Sequence, residues 1–204
     1  MEALILYFVI FFPGITTSSF SSAVWLLNRT LGYTLPALAL LWYIVLGKKS
    51  FRSLISIKFQ KKDLLTFAAC LAGLIIIGLG ISLIITLVSR HYGLPIPPGT
   101  QAPDAIFGWI IMVISCICTG YLEESYFRFY LLTKYENYPI SYKVVFSTLL
   151  FAFGHAHDGP WGILNAVLAG IFLSIVFIRY KTFHGIALAH GFYNIFVYTI
   201  GIFL

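Results

Sequence analysis

The residues of this chain that could do chemistry begin with two adjacent glutamates and an arginine. Glu123, Glu124 and Arg128 lie inside a stretch that is otherwise apolar enough to cross a membrane. An ionised side chain near the centre of a bilayer costs about 2.5–3.5 kcal/mol even on the lenient insertion scale. Three of them in one segment therefore require partners or a chemical role, and carboxylates suit general acid–base catalysis. The alternative is a polar seam between helices that catalyses nothing.

Helical geometry separates the two carboxylates. Glu124 and Arg128 are four residues apart and share a helix face, whereas Glu123 points about 100° away from its neighbour. We expect Glu124 and Arg128 to form a pair that neutralises itself in the low dielectric. Glu123 is then left to face a cavity or another helix.

Two later segments carry further polar groups. His155 and His157 end one apolar stretch just before Asp158, and His190 and Asn194 share a helix face on a later stretch because they are four residues apart. Imidazole and amide groups can exchange hydrogen bonds or protons with a reacting oxygen. A single membrane histidine is more often a hydrogen-bonded contact between helices than a catalyst, so its role depends on its neighbours.

The composition of the chain predicts the elements that position these residues. Of 204 residues, 60% are hydrophobic and only 10% are charged, and the mean hydropathy is +0.93, far above that of soluble domains. This predicts an all-α fold, a polytopic transmembrane helical bundle with the active site within the bundle. At roughly 20 residues a span, about seven spans fit, near 3–27, 31–47, 63–89, 105–133, 142–157, 161–180 and 183–204.

The charges predict the topology of the bundle. The net charge of +6 comes from cations at predicted helix ends rather than on a soluble face, which argues against nucleic acid as a partner. Most cations fall in the connections at 48–62, 134–143 and 179–181, and only Arg29 and Arg90 fall in the alternate loops. By the positive-inside rule the N-terminus is cytoplasmic. We interpret the first span as a helix kinked at Pro13 rather than a signal peptide, because Met1-Glu2-Ala3 provides no basic region.

The polar residues are expected to lie at similar depths in the membrane. Counted from the basic end at 1.5 Å per residue, Glu123 lies roughly 15 Å deep, His155 and Asn194 roughly 20 Å, and His190 roughly 13 Å. Three helices that place their rare polar residues at one level are better explained by a shared site than by coincidence.

These motifs resemble a known family. Glu123-Glu124-x-x-x-Arg128, then Phe151-x-x-x-His155 and then His190-x-x-x-Asn194 are similar, in order and on separate helices, to the CPBP family of intramembrane endopeptidases, also called the Abi or CAAX-protease family. The resemblance covers about residues 105–200. It implies a catalytic helical core at 105–204. Residues 1–104 carry no such motif, and their composition and charge predict N-terminal transmembrane helices with a basic cytoplasmic loop.

The resemblance also implies roles for these residues. In the family a glutamate and a histidine activate water, which here are Glu123 and His155. A histidine and an asparagine on a later helix stabilise the oxyanion, which here are His190 and Asn194. Glu124 and Arg128 match the remaining motif positions and are expected to orient the others.

Other protease chemistries fit the sequence less well. It contains no HExxH zinc motif, no GxSG serine loop and no aspartate within a predicted span that could form an aspartyl dyad. We expect no cofactor, although Glu123, His155, His157 and His190 leave a zinc-dependent version open if the helix unwinds near Asp158. The cysteines show no metal-ligand spacing and are expected to pack in the interior; they are Cys70, Cys116 and Cys118.

The sequence therefore predicts an intramembrane endopeptidase of glutamic type. Its expected partners are the lipid bilayer and a membrane-associated protein or peptide substrate, and its expected location is a prokaryotic cytoplasmic membrane. The competing hypothesis is a non-hydrolytic membrane protein, either a proton-coupled carrier or a bacteriocin-immunity or binding partner, in which Glu123 and the histidines relay protons. The substrate, the cleavage site and the oligomeric state do not follow from the residues.

Overall fold

The fold was analysed in a computed structural model that describes residues 2–11, 23–47, 59–96, 99, 102–134 and 137–201. Within these ranges the chain forms seven helices. They are α1 (Glu2–Phe11), α2 (Ala23–Gly47), α3 (Lys61–Tyr92), α4 (Ile106–Lys134), α5 (Ile140–Gly154), α6 (Gly159–Tyr180) and α7 (His184–Ile200). A single 3₁₀ turn, Ala156–Asp158, joins α5 to α6.

Long apolar helices confirm the predicted all-α membrane bundle. The helices α2, α3, α4 and the segment Ala156–Tyr180 are long and apolar enough to cross a membrane, and α1 and α5 are shorter apolar helices. A row of large apolar side chains on α3 is exposed, as expected for a face that meets lipid. The count of seven spans stays a prediction.

The predicted break between the first two spans is wrong. Ala23–Gly47 is one helix, so Arg29 lies within a helix and not in a loop. The helix continues through a wide π turn at Thr30–Thr34, where the Thr30 hydroxyl donates to the Leu26 carbonyl at 2.8 Å. The guanidinium of Arg29 lies over the Trp25 ring, 5.5 Å from its centroid. The predicted kink at Pro13 and much of the basic segment 48–62 lie outside the described residues.

Polar contacts gather several helix ends at one end of the bundle. Asp63 accepts a hydrogen bond from the Gln60 amide, which caps α3, and a second one from the Gly185 amide at the start of α7. The Lys62 ammonium donates to the Tyr180 carbonyl at the end of α6. These contacts place cation-bearing ends of α3 and α6 together, as the charge pattern predicts, while the cytoplasmic assignment of that end stays a prediction.

A close helix crossing sets the position of the polar motifs. The helix α7 packs mainly against α4 and α3. A Cβ on Gly120 would lie 2.7 Å from the Ala187 carbonyl oxygen, and one on Gly191 would lie 2.9 Å from the Ile117 Cα. The two backbones meet where neither helix has a side chain, as small residues allow in membrane bundles. This crossing brings the residue before Gly191 against the end of the α-helical part of α4.

A second π turn follows the two glutamates. Ser125–Leu131 has π geometry and all seven of its side chains are buried. The Ser147 hydroxyl of α5 donates to the Phe127 carbonyl at 2.7 Å, and the Trp42 indole of α2 donates to Ser125 at 3.2 Å. The turn is therefore the point at which α2 and α5 are tied to α4, next to Arg128. Such turns occur often at functional sites.

Candidate active site

Glu124 is the centre of a buried charged group. Its Oε1 accepts a hydrogen bond from Arg128 Nη1 at 2.8 Å, and neither side chain is exposed to solvent. The same oxygen lies 2.7 Å from Nδ1 of His190 on α7. The pair that the helical spacing predicts is thus present, and it includes a third partner that the sequence did not indicate.

His190 lies between both glutamates. Its Nε2 is 3.5 Å from Oε2 of Glu123, with side-chain exposures of 8% and 15%. Glu124 Oε1 accepts from Arg128, and we assign His190 Nδ1 as a second donor to the same oxygen. The other ring nitrogen, Nε2, faces Glu123.

His155 occupies the turn after α5. Its Nδ1 is 2.9 Å from Oδ2 of Asp158, and both side chains are about one-third exposed. The other carboxylate oxygen of Asp158 lies 3.2 Å from Nε2 of His157, and His157 Nδ1 lies 3.0 Å from the Gly154 carbonyl oxygen. Asp158 therefore holds one nitrogen of His155 and leaves the other for the site.

Asp158 was missed as an orienting residue by the sequence reasoning. The signal that could have found it is the spacing of three residues after His155 in a segment ending in Gly159-Pro160, which favours a tight turn. Gly162 is needed at the start of α6, because a Cβ there would collide with the Asp158 side chain.

The Phe151 ring connects the charged group to His155. The Arg128 guanidinium lies over this ring, 4.5 Å from its centroid. The His155 and His190 rings approach its edge in T-shaped geometry, with centroids at 4.9 and 5.9 Å. The Phe151 side chain of α5 thus contacts a predicted site residue on α4, one on α7 and one in the turn after α5, and it fixes their spacing.

The remaining predicted residues are less closely joined. Within the part of the chain that the structure describes, Glu123 and His155 make no direct hydrogen bond; the contact of Glu123 is with His190 and that of His155 is with Asp158. Asn194 lies one turn after His190 on α7, is partly exposed, and has no side-chain hydrogen bond to another described residue. The structure therefore groups Glu123, Glu124, Arg128 and His190 directly, His155 through Phe151, and Asn194 through its helix.

The positions of the possible metal ligands can be compared with what a metal site requires. Among the residues that the structure describes, no three His, Cys, Asp or Glu side chains are arranged to hold a metal ion. Both ring nitrogens of His190 face carboxylates.

This protein is a helical membrane bundle with carboxylates and imidazoles in its interior. In membrane proteins, such buried ionisable groups usually mark a functional site. Residues 105–196 match the family model described as Type II CAAX prenyl endopeptidase Rce1-like. The match falls on the segment from which the motif resemblance was drawn, and it confirms that resemblance. The family supports intramembrane endopeptidase activity in general. No curated protein and no solved structure matches the chain.

Proposed function

We propose that this protein hydrolyses a peptide bond of a membrane-associated protein or peptide, with water activated by Glu123 and His155 and the oxyanion stabilised by His190 and Asn194. The observation that carries the proposal is the contact of His190 with both glutamates in the interior of the bundle. Its position within the segment that matches the endopeptidase family supports it further.

The first step is attack by water. Glu123, with His155 nearby, accepts one proton of the water while its oxygen bonds to the carbonyl carbon of the substrate. A positioned general base typically contributes 10²–10⁴-fold to the rate. Asp158 binds Nδ1 of His155, so Nε2 is the nitrogen that takes part in the transfer. The carbonyl oxygen then carries the negative charge.

The second step is collapse of the tetrahedral intermediate. His190 and the Asn194 amide donate hydrogen bonds to the oxyanion, and loss of one such donor usually costs about 2.7–4 kcal/mol of barrier. For this role His190 donates through Nε2, the ring nitrogen that is not bound to Glu124. The C–N bond then breaks, and the proton held by Glu123 or His155 passes to the leaving amine.

Glu124 and Arg128 have an orienting role in this proposal. Glu124 holds His190 through Nδ1, and Arg128 binds the Glu124 carboxylate, with both side chains of that pair fully buried. We include no metal in the proposal. A zinc-dependent version predicts loss of cleavage in EDTA and its recovery with added Zn²⁺, whereas our proposal predicts no effect of either.

The description of the matching family suggests a substrate to test. A CAAX prenyl endopeptidase acts next to a lipidated cysteine, so we propose a C-terminally lipidated peptide as the first substrate to test. Identical peptides with and without a farnesyl group determine whether the lipid is required. We also propose a prokaryotic cytoplasmic membrane with the N-terminus inside, which reporter fusions on the loops test.

The decisive experiment compares cleavage by the purified parent protein with that by Glu123→Gln and His155→Ala. Matched controls are Glu2→Gln, a largely exposed carboxylate paired with Lys134, and His91→Ala, an exposed histidine at the end of α3. We expect cleavage to be lost only in the first two variants while all four remain folded. Cleavage that persists in Glu123→Gln and His155→Ala would contradict the assignment of water activation to these residues. A parent protein that cleaves none of the candidate substrates would favour a carrier or binding function.

A further inference from the structure

The inference begins with a buried hydroxyl on α1, outside the segment that matches the family. The Tyr7 side chain is 1% exposed. Its hydroxyl makes no hydrogen bond to any residue that the structure describes. A buried hydroxyl normally has a partner, because folding removes its hydrogen bonds to water. An unpaired one therefore points to a group that binds beside it.

The ring of Tyr7 is too tightly packed to turn toward another partner. It stacks on Phe11 with centroids 5.3 Å apart and contacts Tyr126, Phe127 and Phe153 at 6.0, 6.2 and 6.3 Å. The helix itself is fixed as well, because the Tyr126 hydroxyl donates to the Ala3 carbonyl at 2.5 Å. The direction of the Tyr7 hydroxyl is thus set by the fold.

That direction leads to the candidate active site. The hydroxyl lies 3.3 Å from the position that a Cβ on Gly154 would occupy, directly before His155. The Tyr7 ring also contacts Phe127, which lies four residues after Glu123 on α4. A water molecule bound beside the hydroxyl would supply its missing hydrogen-bond partner.

We propose that Tyr7 is a further catalytic residue, whose hydroxyl binds the reacting water between Glu123 and His155. A water molecule has two hydrogens, and Glu123 accepts one of them. The Tyr7 oxygen accepts the other, which turns a lone pair of the water toward the substrate carbonyl. This inference rests on the proposed function, and it assigns a chemical role to a helix that the family match does not include.

Tyr7→Phe tests the proposal, because it removes one oxygen and keeps the ring packing. We expect kcat to fall about 10- to 100-fold, as for loss of one hydrogen bond in a transition state, with KM unchanged. The melting temperature should stay the same or rise, because an unpaired buried hydroxyl is removed. Tyr126→Phe is the matched control: it should lower the melting temperature, since its hydroxyl is paired, and leave kcat near that of the parent.

The outcomes separate this inference from the proposed function. If Glu123→Gln abolishes cleavage but Tyr7→Phe retains the parent kcat, the Tyr7 inference is wrong and the proposed function stands. If Glu123→Gln cleaves as well as the parent, the proposed function fails and this inference with it. If Tyr7→Phe and Tyr126→Phe lose kcat and melting temperature in parallel, Tyr7 has a packing role only, which also overturns the inference.

Discussion

Replacing Glu124 by alanine should destabilise the protein more than most single substitutions. The Glu124 carboxylate accepts hydrogen bonds from Arg128 and His190, at 2.8 and 2.7 Å. Arg128 is fully buried, and its Nε and Nη2 already have no partner among the described residues. Glu124→Ala therefore leaves a guanidinium without its carboxylate in the interior.

The expected loss follows from the burial of the pair. Breaking a buried ion pair by removing one partner costs about 3–5 kcal/mol, which lowers the ratio of folded to unfolded protein by roughly 10²–10⁴-fold. Glu124→Gln keeps an acceptor oxygen, so we expect a smaller loss of about 1–3 kcal/mol. A double variant, Glu124→Met with Arg128→Met, leaves no unpaired charge and should lie close to the parent.

The assay is equilibrium unfolding in mixed micelles, applied to the parent and Glu124→Ala, and to a cycle of Glu124→Met, Arg128→Met and the double variant. A double loss well below the sum of the single losses measures the coupling. The folded double variant should still cleave poorly, because His190 Nδ1 has lost its acceptor. A loss under about 1 kcal/mol for Glu124→Ala, or strictly additive losses, would refute the reasoning.

Three other predictions concern neighbouring parts of the site. Gly120→Ala should cost about 1–3 kcal/mol and reduce cleavage, because the new Cβ would force α4 and α7 apart; thermal unfolding and a cleavage assay measure both. Asp158→Asn should lower kcat about 10- to 100-fold, less than the roughly 10⁴-fold known for the buried aspartate of a serine-protease triad, because Asp158 is 33% exposed. Replacing all three free cysteines by alanine should leave kcat largely intact, since no thiol is assigned a step.

Each of these predictions has its own control. Gly80→Ala places a Cβ with no atom within 4 Å, so it should be neutral or slightly stabilising. If Gly80→Ala destabilised the protein as much as Gly120→Ala does, the close approach of α4 and α7 would not be the reason for the loss. His157→Ala should affect kcat less than Asp158→Asn, and equal losses would mean that the turn acts only through its shape. A folded triple-cysteine variant without activity would reveal a thiol role.

Sequence patterns predicted those contacts that depend on the spacing of residues within a single helix. The pairing of Glu124 with Arg128 follows from four-residue spacing, and the membrane bundle follows from composition. Arg29 was placed in a loop because a charge flanked by Asn28 and Thr30 interrupts the hydropathy. The helix continues there because the Thr30 hydroxyl satisfies a backbone carbonyl and the Trp25 ring covers the cation, and hydropathy does not record either contact.

Contacts between helices were beyond the same reasoning. The 2.7 Å contact of His190 with Glu124 depends on which faces of α4 and α7 meet. That choice is made by Gly120 and Gly191, whose missing side chains allow the backbones to approach. Counting residues by depth placed the four polar groups at one level, but depth alone does not define rotation about a helix axis. The role of Tyr7 was hidden for the same reason.

The lengths of the helices have a consequence for the surrounding lipid. The helix α5 has 15 residues, or about 22 Å at 1.5 Å per residue, whereas the hydrocarbon core of a bilayer is about 30 Å thick. A bilayer that surrounds so short a helix adapts by thinning locally or by drawing headgroups inward, here near the turn that holds His155. We therefore expect the acyl chain length of a reconstituted bilayer to change the rate of cleavage without any change in the protein.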